Sequence, residues 1–330
     1  MTKRLSRAGG RGVAKAAALP VLLLIVLAGA ADPQAPPPKQ DTGADPFRIS
    51  VDVALVVLQA TVTSRQGGFA SDLSQSDFQV FEDGLPQSIR LFKNEDVPVT
   101  VGLVVDHSTT MRPKIAEVAT AARTFVRSSN PADEMFVVNF NEKVSLGLPS
   151  AMRFTDNAVA LNQAIVQPTG GQTALYDAIA KALEELRTGS LDKKVLVVVS
   201  DGGDNASAHR LPDIMQLAEQ SSAIIYTVGI FDEDDPDRNP GVLRRLAQAT
   251  GGEAFFPARF NEVAVICEGI AKDIRHQYTI GYVPAKPSRD GVHHTIRVTA
   301  REKGHGGLTV RTRTRYITGG EPKLDEKAGT

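Results

Sequence analysis

Three separated segments of the chain carry oxygen-bearing side chains of the kind that bind divalent metal ions. The residues concerned are Asp106, Ser108, Thr110, Thr173 and Asp201. Two carboxylates and three hydroxyls are hard oxygen ligands, which suit magnesium or manganese and suit zinc or copper poorly. The residue types therefore predict a site for Mg²⁺ or Mn²⁺.

The apolar runs that precede two of these segments indicate how the side chains can meet. Asp106 follows the run 99–105, and Asp201 comes one serine after the run 195–199. Short runs rich in β-branched residues are typical of strands buried on both faces of a parallel sheet. Because binding crevices in such sheets lie outside the carboxyl ends of the strands, residues distant in sequence can converge there.

The assignments of Thr173 and Asp204 rest on fewer observations. Thr173 stands just before a predicted helix, 174–187, whose apolar residues recur at helical spacing. A threonine at a helix start is commonly an N-cap, and this alternative applies to Thr173 taken alone. Asp204 lies three residues after Asp201 and is predicted to support its carboxylate from behind the metal ligands.

The order of these elements resembles the metal-ion-dependent adhesion site of von Willebrand factor type A domains. That pattern is Asp-x-Ser-x-Ser after the first strand, a threonine in a later loop, and an aspartate that opens an Asp-Gly step. Asp106 and Ser108 match directly, and Thr110 stands where the family usually has serine, so the hydroxyl is kept. Thr173 and Asp201, with its following glycine, supply the remaining elements.

The resemblance implies a fold and a mode of binding. It implies a doubly wound, mainly parallel α/β sheet, Rossmann-like, in a protein that is not an enzyme. In such domains the cation keeps one position open for an Asp or Glu carboxylate of a partner protein. The implied function is a metal-dependent, adhesion-type protein-binding module. A scaffold or assembly subunit with a structural cation is the alternative, and a hydrolase is a weaker one.

Helical and strand patterns alternate between residues 97 and 275, as this fold requires. The predicted strands are 99–105, 135–140, 194–199, 223–230 and 253–256, with an antiparallel edge strand at 143–148. The predicted helices are 113–127, 174–187, 211–221, 240–250 and 261–275.

The flanking segments 47–96 and 276–317 have a different, β-rich character. The candidate strands are 51–63, 78–81 and 88–92 before the α/β region, and 276–283, 293–300 and 308–317 after it. Glu82, Asp83 and Gly84 form a turn signal. We expect the two segments to pair and close one antiparallel β-sandwich from both ends of the chain.

The two termini are predicted to lie outside both modules. Residues 1–30 have a basic start, an apolar stretch and an Ala-Gly-Ala cleavage sequence, which indicate a secretory signal peptide. The apolar stretch, 16–27, is shorter than the ~20 residues of a spanning helix, so we expect no membrane span in the mature chain. An uncleaved anchor is the alternative. Residues 31–46 are predicted to be a proline-rich linker and 318–330 a polar tail.

The remaining composition narrows the function and the compartment. The absence of tryptophan, 5% aromatic residues and a formal charge of −1 give no support to nucleic-acid binding. Cys267 is the single cysteine, so we predict a buried thiol and no intrachain disulfide. The absence of an intrachain disulfide in an exported chain favours a bacterial protein that is periplasmic or secreted. His293 and His294 lack the spacing of zinc enzymes and are predicted to be solvated surface residues.

Overall fold

The structure is a computed structural model that describes residues 55–231, 237–259, 261–286, 288–301 and 307–319. The predicted signal peptide and linker lie outside the described residues, as does the predicted tail beyond residue 319. Within the described residues, no helix is long and apolar enough to cross a membrane.

The described chain forms fourteen strands and six α-helices. The strands are β1 (Val56–Ser64), β2 (Phe78–Glu82), β3 (Leu85–Gln87), β4 (Ile89–Lys93), β5 (Val99–Asp106), β6 (Glu134–Phe140), β7 (Val144–Leu146), β8 (Lys193–Ser200), β9 (Ile224–Gly229), β10 (Ala254–Phe255), β11 (Tyr278–Tyr282), β12 (His293–Ala300), β13 (Leu308–Arg311) and β14 (Arg315–Ile317). The helices are α1 (Ile115–Ser128), α2 (Ala158–Ile165), α3 (Leu175–Leu186), α4 (Leu211–Gln220), α5 (Pro240–Thr250) and α6 (Glu262–Arg275).

A six-stranded sheet in the order β10-β9-β8-β5-β6-β7 forms the α/β part of the molecule. Its strands are parallel except for β7, which pairs antiparallel with β6 at the edge, as predicted. Every residue of β5 and β9 is buried, because helices cover both faces of the sheet. The strand order reverses at β5, so the carboxyl ends of β5 and β8 border the crevice expected in a doubly wound fold.

The helix predictions are confirmed to within two residues at each end, apart from one helix that was not predicted. Helix α2 has eight residues and is capped by the preceding Asn157, whose side chain accepts hydrogen bonds from the backbone N–H groups of Val159 and Ala160. Val159 is 66% exposed although it is apolar. An exposed valine in so short a helix breaks the apolar stripe by which the longer helices are predicted.

Two antiparallel four-stranded sheets form the predicted β-sandwich. Their strand orders are β13-β1-β11-β4 and β14-β12-β2-β3, so each sheet combines strands from both ends of the chain. Apolar side chains of β1, β2, β11 and β12 fill one shared core between the two sheets. The fold class predicted from the sequence is therefore confirmed, including the sandwich built from both ends.

The prediction of one strand over 308–317 was wrong, since this segment forms β13 in one sheet and β14 in the other. The chain crosses between the sheets after Arg311, where the hydroxyl of Thr312 donates a hydrogen bond to the Gln59 carbonyl, 2.7 Å away. Both halves of the segment have strand-like composition. They form two strands because they pair with strands of different sheets.

A buried carboxylate connects the last helix of the α/β part to the sandwich. Asp273 of α6 accepts hydrogen bonds from the hydroxyl of Thr61 (2.6 Å), the hydroxyl of Tyr226 (2.8 Å) and the guanidinium group of Arg311. Gln277 extends this network by donating to the Tyr226 hydroxyl over 2.9 Å. Thr61 and Arg311 belong to β1 and β13, so a single carboxylate satisfies polar groups of both modules.

Replacing Asp273 by alanine should destabilise the fold, because the cationic Arg311 loses its buried partner and two hydroxyls lose their acceptor. We expect the free energy of unfolding to fall by about 3–5 kcal/mol, measured by denaturant titration. The matched control is Glu268→Ala on the same helix, which removes an exposed ion pair with Lys272. That change should cost less than about 1 kcal/mol, and equal losses in both variants would contradict the assigned role of Asp273.

Candidate metal centre

The two carboxylates predicted as metal ligands lie at the ends of neighbouring strands. Asp106 is the last residue of β5, and Asp201 directly follows β8, its parallel neighbour. Their exposed fractions are 0% and 2%. The structure thus places both acids, buried, at the carboxyl edge of the sheet, as the sequence predicts.

A single 3-10 turn brings the two hydroxyls of the first segment together. The turn covers Thr109–Met111 and starts after Ser108, whose backbone is extended. As a result, the Oγ of Ser108 lies 3.1 Å from the Oγ1 of Thr110. Thr110 in turn donates a hydrogen bond of 2.5 Å to Oδ2 of Asp201. Four of the five predicted ligands, counting Asp106, therefore belong to one hydrogen-bonded group.

Asp106 is held in place by donors on both of its oxygens. The backbone N–H of Ser108 donates to Oδ1 over 2.8 Å, and the hydroxyl of Ser200 donates to Oδ2 over 2.7 Å. Ser200 was not predicted as a site residue. The sequence feature that could have indicated a role for Ser200 is its position next to Asp201 at the end of β8.

The electrostatics of the two buried acids favour a cation. Burial, followed by the charge of Asp201, raises the pKa of Asp106 from 3.8 to about 6. Within the described residues, neither carboxylate forms an ion pair with a lysine, arginine or histidine. Hard oxygen donors and uncompensated negative charge are what Mg²⁺ or Mn²⁺ requires, so the residues present fit such an ion.

The backbone of Thr173 is hydrogen-bonded to the loop that follows Asp201. Its N–H donates to Oδ1 of Asn205 over 2.8 Å, and its carbonyl accepts from the N–H groups of Asn205 and Ala206. Thr173 is 6% exposed, and no hydrogen bond among the described residues links its side chain to the other four predicted ligands. Asn205, which the sequence analysis did not select, ties the threonine loop to the loop that carries Asp201.

Asp204 supports a different neighbour from the one predicted. Its Oδ2 accepts hydrogen bonds from the backbone N–H of Tyr176 (2.8 Å) and the hydroxyl of Ser207 (2.6 Å), with no bond to Asp201. Tyr176 lies in the first turn of α3, where N–H groups lack partners within the helix. Asp204 therefore anchors the helix that follows Thr173.

Close packing explains why glycine follows Asp201 after β8. Gly202 has φ +84°, and a Cβ atom there would lie 2.5 Å from the carbonyl oxygen of Asn239. The N–H of Asn239 donates to the Asp201 carbonyl over 3.0 Å. Only glycine allows this close crossing, which fixes the backbone that presents the Asp201 carboxylate.

The predictions for the remaining candidate residues have mixed outcomes. Cys267 is buried as predicted, and burial raises the pKa of its thiol to about 12, so it is not a reactive cysteine. The prediction of a solvated surface residue was wrong for His294, which is 7% exposed because β14 and the turn after β2 cover it. His293, on the opposite face of β12, is exposed, and its Nδ1 lies 3.3 Å from Oε2 of Glu219.

The chain belongs to the von Willebrand factor type A domain family. The family model matches residues 100–268, just over half of the chain, and this match contains every residue of the candidate centre. The resemblance seen in the motif is therefore confirmed at the level of the family. No curated protein is similar enough in sequence to match.

Several solved structures are similar to parts of this chain. A von Willebrand factor type A protein from Catenulispora acidiphila is 14% identical, and the similarity covers 81% of this chain and 73% of that chain with a TM-score of 0.49. The vWF domain of the type V pili tip protein Mfa5 from Porphyromonas gingivalis is 15% identical over 54% and 95%, with a TM-score of 0.46. Proximal thread matrix protein 1 from the mussel byssus, with a zinc-occupied MIDAS motif, is 16% identical over 59% and 50%, with a TM-score of 0.48. At these identities the similarity concerns the fold alone.

The raised pKa of Asp106 predicts a pH-dependent stability in the absence of metal. The folded chain holds this proton more tightly than the unfolded chain, so the stability that the proton contributes is present below about pH 3.8 and is lost as the pH rises to about 6. We expect Asp106→Asn to be more stable than wild type at pH 7.5, by up to about 3 kcal/mol, with the difference closing towards pH 4. Denaturant unfolding in the presence of a chelator measures this.

The exposed Asp156 provides the matched control for this prediction. Asp156→Asn should show the pH profile of the wild type. An Asp106→Asn protein whose stability follows the wild-type profile throughout would contradict the assigned electrostatics.

Proposed function

We propose that the chain is an exported, non-enzymatic, metal-dependent protein-binding module of the adhesion type. Asp106, Ser108, Thr110, Thr173 and Asp201 would hold one Mg²⁺ or Mn²⁺ ion, with Asp204 anchoring the neighbouring helix. When bound, the ion supplies a positively charged coordination position for an Asp or Glu carboxylate of a partner protein.

The contact between Thr110 and Asp201 carries this proposal. These side chains are 91 positions apart in sequence, yet their oxygens lie 2.5 Å from each other. With the adjacent Ser108 hydroxyl and the buried Asp106 carboxylate, they supply the mixed hydroxyl and carboxylate donors that the proposed metal site needs. Membership of the family is consistent with the assignment, because the matched range includes all of these residues.

The surroundings of the donor set favour a macromolecular partner. Thr110 is partly exposed, and its neighbours Thr109, Gly171 and Gln172 are exposed. The Thr109 hydroxyl donates to the Gly171 carbonyl over 3.1 Å, which joins the two loops into one rim. A solvent-facing rim beside buried carboxylates admits a side chain that projects from a protein surface.

The sequence supports an extension of the proposal to location and organisation. The predicted signal peptide at 1–30 would direct export, leaving a periplasmic or secreted chain without a membrane span. The linker at 31–46 would separate the signal from the sandwich strands of 47–96 and 276–317, which flank a von Willebrand factor type A domain at 97–275. The segment 318–330 would be a polar tail.

Isothermal titration with Mg²⁺ and Mn²⁺ tests the metal centre. We expect one ion per wild-type chain and a loss of binding in Asp106→Ala and Asp201→Ala, because each change removes a carboxylate from the donor set. Asp156→Ala should bind as the wild type does. The proposal fails if the wild-type chain binds neither ion, or if both carboxylate variants bind normally.

A capture experiment separates adhesion from the scaffold alternative. Envelope proteins captured on the immobilised chain in Mg²⁺ should be released by chelator and should be missing from an Asp201→Ala column. Capture that persists in that variant and in chelator would instead favour a permanently docked scaffold, in which any cation has a structural role.

A further inference from the structure

A second group of metal-binding side chains lies in the sandwich, at the end of β2. Ligand atoms of Glu82, Asp83 and His294 all lie within 4.8 Å of one another. Nδ1 of His294 is 2.8 Å from Oδ2 of Asp83 and 3.7 Å from Oε1 of Glu82. The three residues come from two antiparallel strands, β2 and β12, and the turn that follows β2.

Glu82 is oriented by two tyrosines that bind the same oxygen. The hydroxyls of Tyr282 and Tyr316 donate to Oε2 over 2.6 and 3.0 Å. The other oxygen, Oε1, faces His294 at a distance too long for a hydrogen bond. The Glu82 side chain is 5% exposed, so a buried carboxylate oxygen is directed towards the imidazole.

The His294 ring is fixed from two sides. Tyr316 stacks against it with ring centroids 5.1 Å apart, and Nε2 lies 2.8 Å from the Ser288 hydroxyl. A hydrogen bond to the outer nitrogen is the usual way in which proteins orient a metal-binding histidine. Here it directs Nδ1 towards both carboxylates.

The turn residue Asp83 completes the group and opens it to solvent. Asp83 has φ +49°, and its Oδ1 accepts hydrogen bonds from the backbone and side chain of Thr295. Its side chain is 48% exposed, whereas that of His294 is 9% exposed. The group is therefore buried on the side of His294 and open to solvent on the side of Asp83, which provides an entry path for an ion.

We propose that Glu82, Asp83 and His294 form a second divalent metal site, selective for a zinc-like ion. Two carboxylates face one imidazole, and within the described residues neither acid is paired with a lysine or arginine. A divalent cation offsets this excess of negative charge. The ion takes the place of the proton between His294 Nδ1 and Asp83 Oδ2, and that proton is released to solvent.

The ligand types and spacings fit zinc better than magnesium. Imidazole nitrogen favours zinc and similar transition ions, whereas the candidate centre at Asp106 offers only oxygen. In a tetrahedral zinc site with bonds of about 2.0–2.1 Å, neighbouring ligands lie about 3.3 Å apart. The two separations from His294 Nδ1, 2.8 and 3.7 Å, bracket this value, and the ligand atoms of the two carboxylates lie within 4.8 Å of each other, so side-chain rotations that draw the carboxylates together would complete the geometry. Water can fill the fourth position.

Zinc titration of the tag-free full chain tests this site, with Asp201→Ala as background to remove the other centre. We expect one zinc ion per chain, bound with release of protons. His294→Gln and Asp83→Asn should each weaken binding by at least about 100-fold, since loss of an outer partner alone costs about 10- to 100-fold. His293→Ala, next to the site, should bind zinc as the background protein does.

Asp83→Asn keeps the experiment interpretable, because asparagine tolerates the left-handed turn and retains an acceptor for Thr295. Circular dichroism confirms that each variant is folded. The proposal is overturned if the Asp201→Ala chain binds no zinc, or if its zinc affinity is unchanged in the folded Asp83→Asn and His294→Gln variants. Magnesium binding by the wild-type centre is measured separately, so failure of one site leaves the other assessable.

Discussion

The repulsion between two carboxylates buried side by side is the constraint on which the α/β part depends. Asp106 and Asp201 lie at the buried ends of neighbouring strands, where burial and the charge of Asp201 both oppose ionisation of Asp106. Hydrogen bonds from Ser108, Ser200 and Thr110 offset part of that cost. The negative charge that remains uncompensated among the described residues is the feature that supports the proposed cation site.

The buried carboxylate of Asp273 differs from Asp106 and Asp201 because its charge is compensated within the protein. It is compensated within the protein by Arg311 and by the hydroxyls of Thr61 and Tyr226, and it therefore serves structure. Because these partners come from both modules, sliding of α6 along its axis would break hydrogen bonds to the sandwich. The last helix of the α/β part and the sandwich strands are thus energetically coupled.

The two proposed metal sites differ in donor chemistry and in their place in the fold. The centre at Asp106 lies where parallel strands end and offers only oxygen, whereas the group at His294 lies at a tight hairpin and adds an imidazole nitrogen. Hard ions such as Mg²⁺ prefer the all-oxygen donor set, whereas borderline ions such as Zn²⁺ prefer the set that includes the imidazole nitrogen. Separation of the sets in one chain would allow each site to select its own ion.

The sequence by itself determined most of the helices and strands and the order of the metal motif. Apolar runs and helical spacing are local properties, and for this reason helix 240–250 and strand 293–300 were predicted to the residue. Tertiary structure alone decided which distant groups share a hydrogen bond. The 308–317 segment divides between two sheets because of its pairing partners, Asp204 bonds the start of α3, and His294 is buried by chain segments that no local pattern connects. Burial and hydrogen bonding between remote residues depend on packing, which periodicity along the chain does not encode.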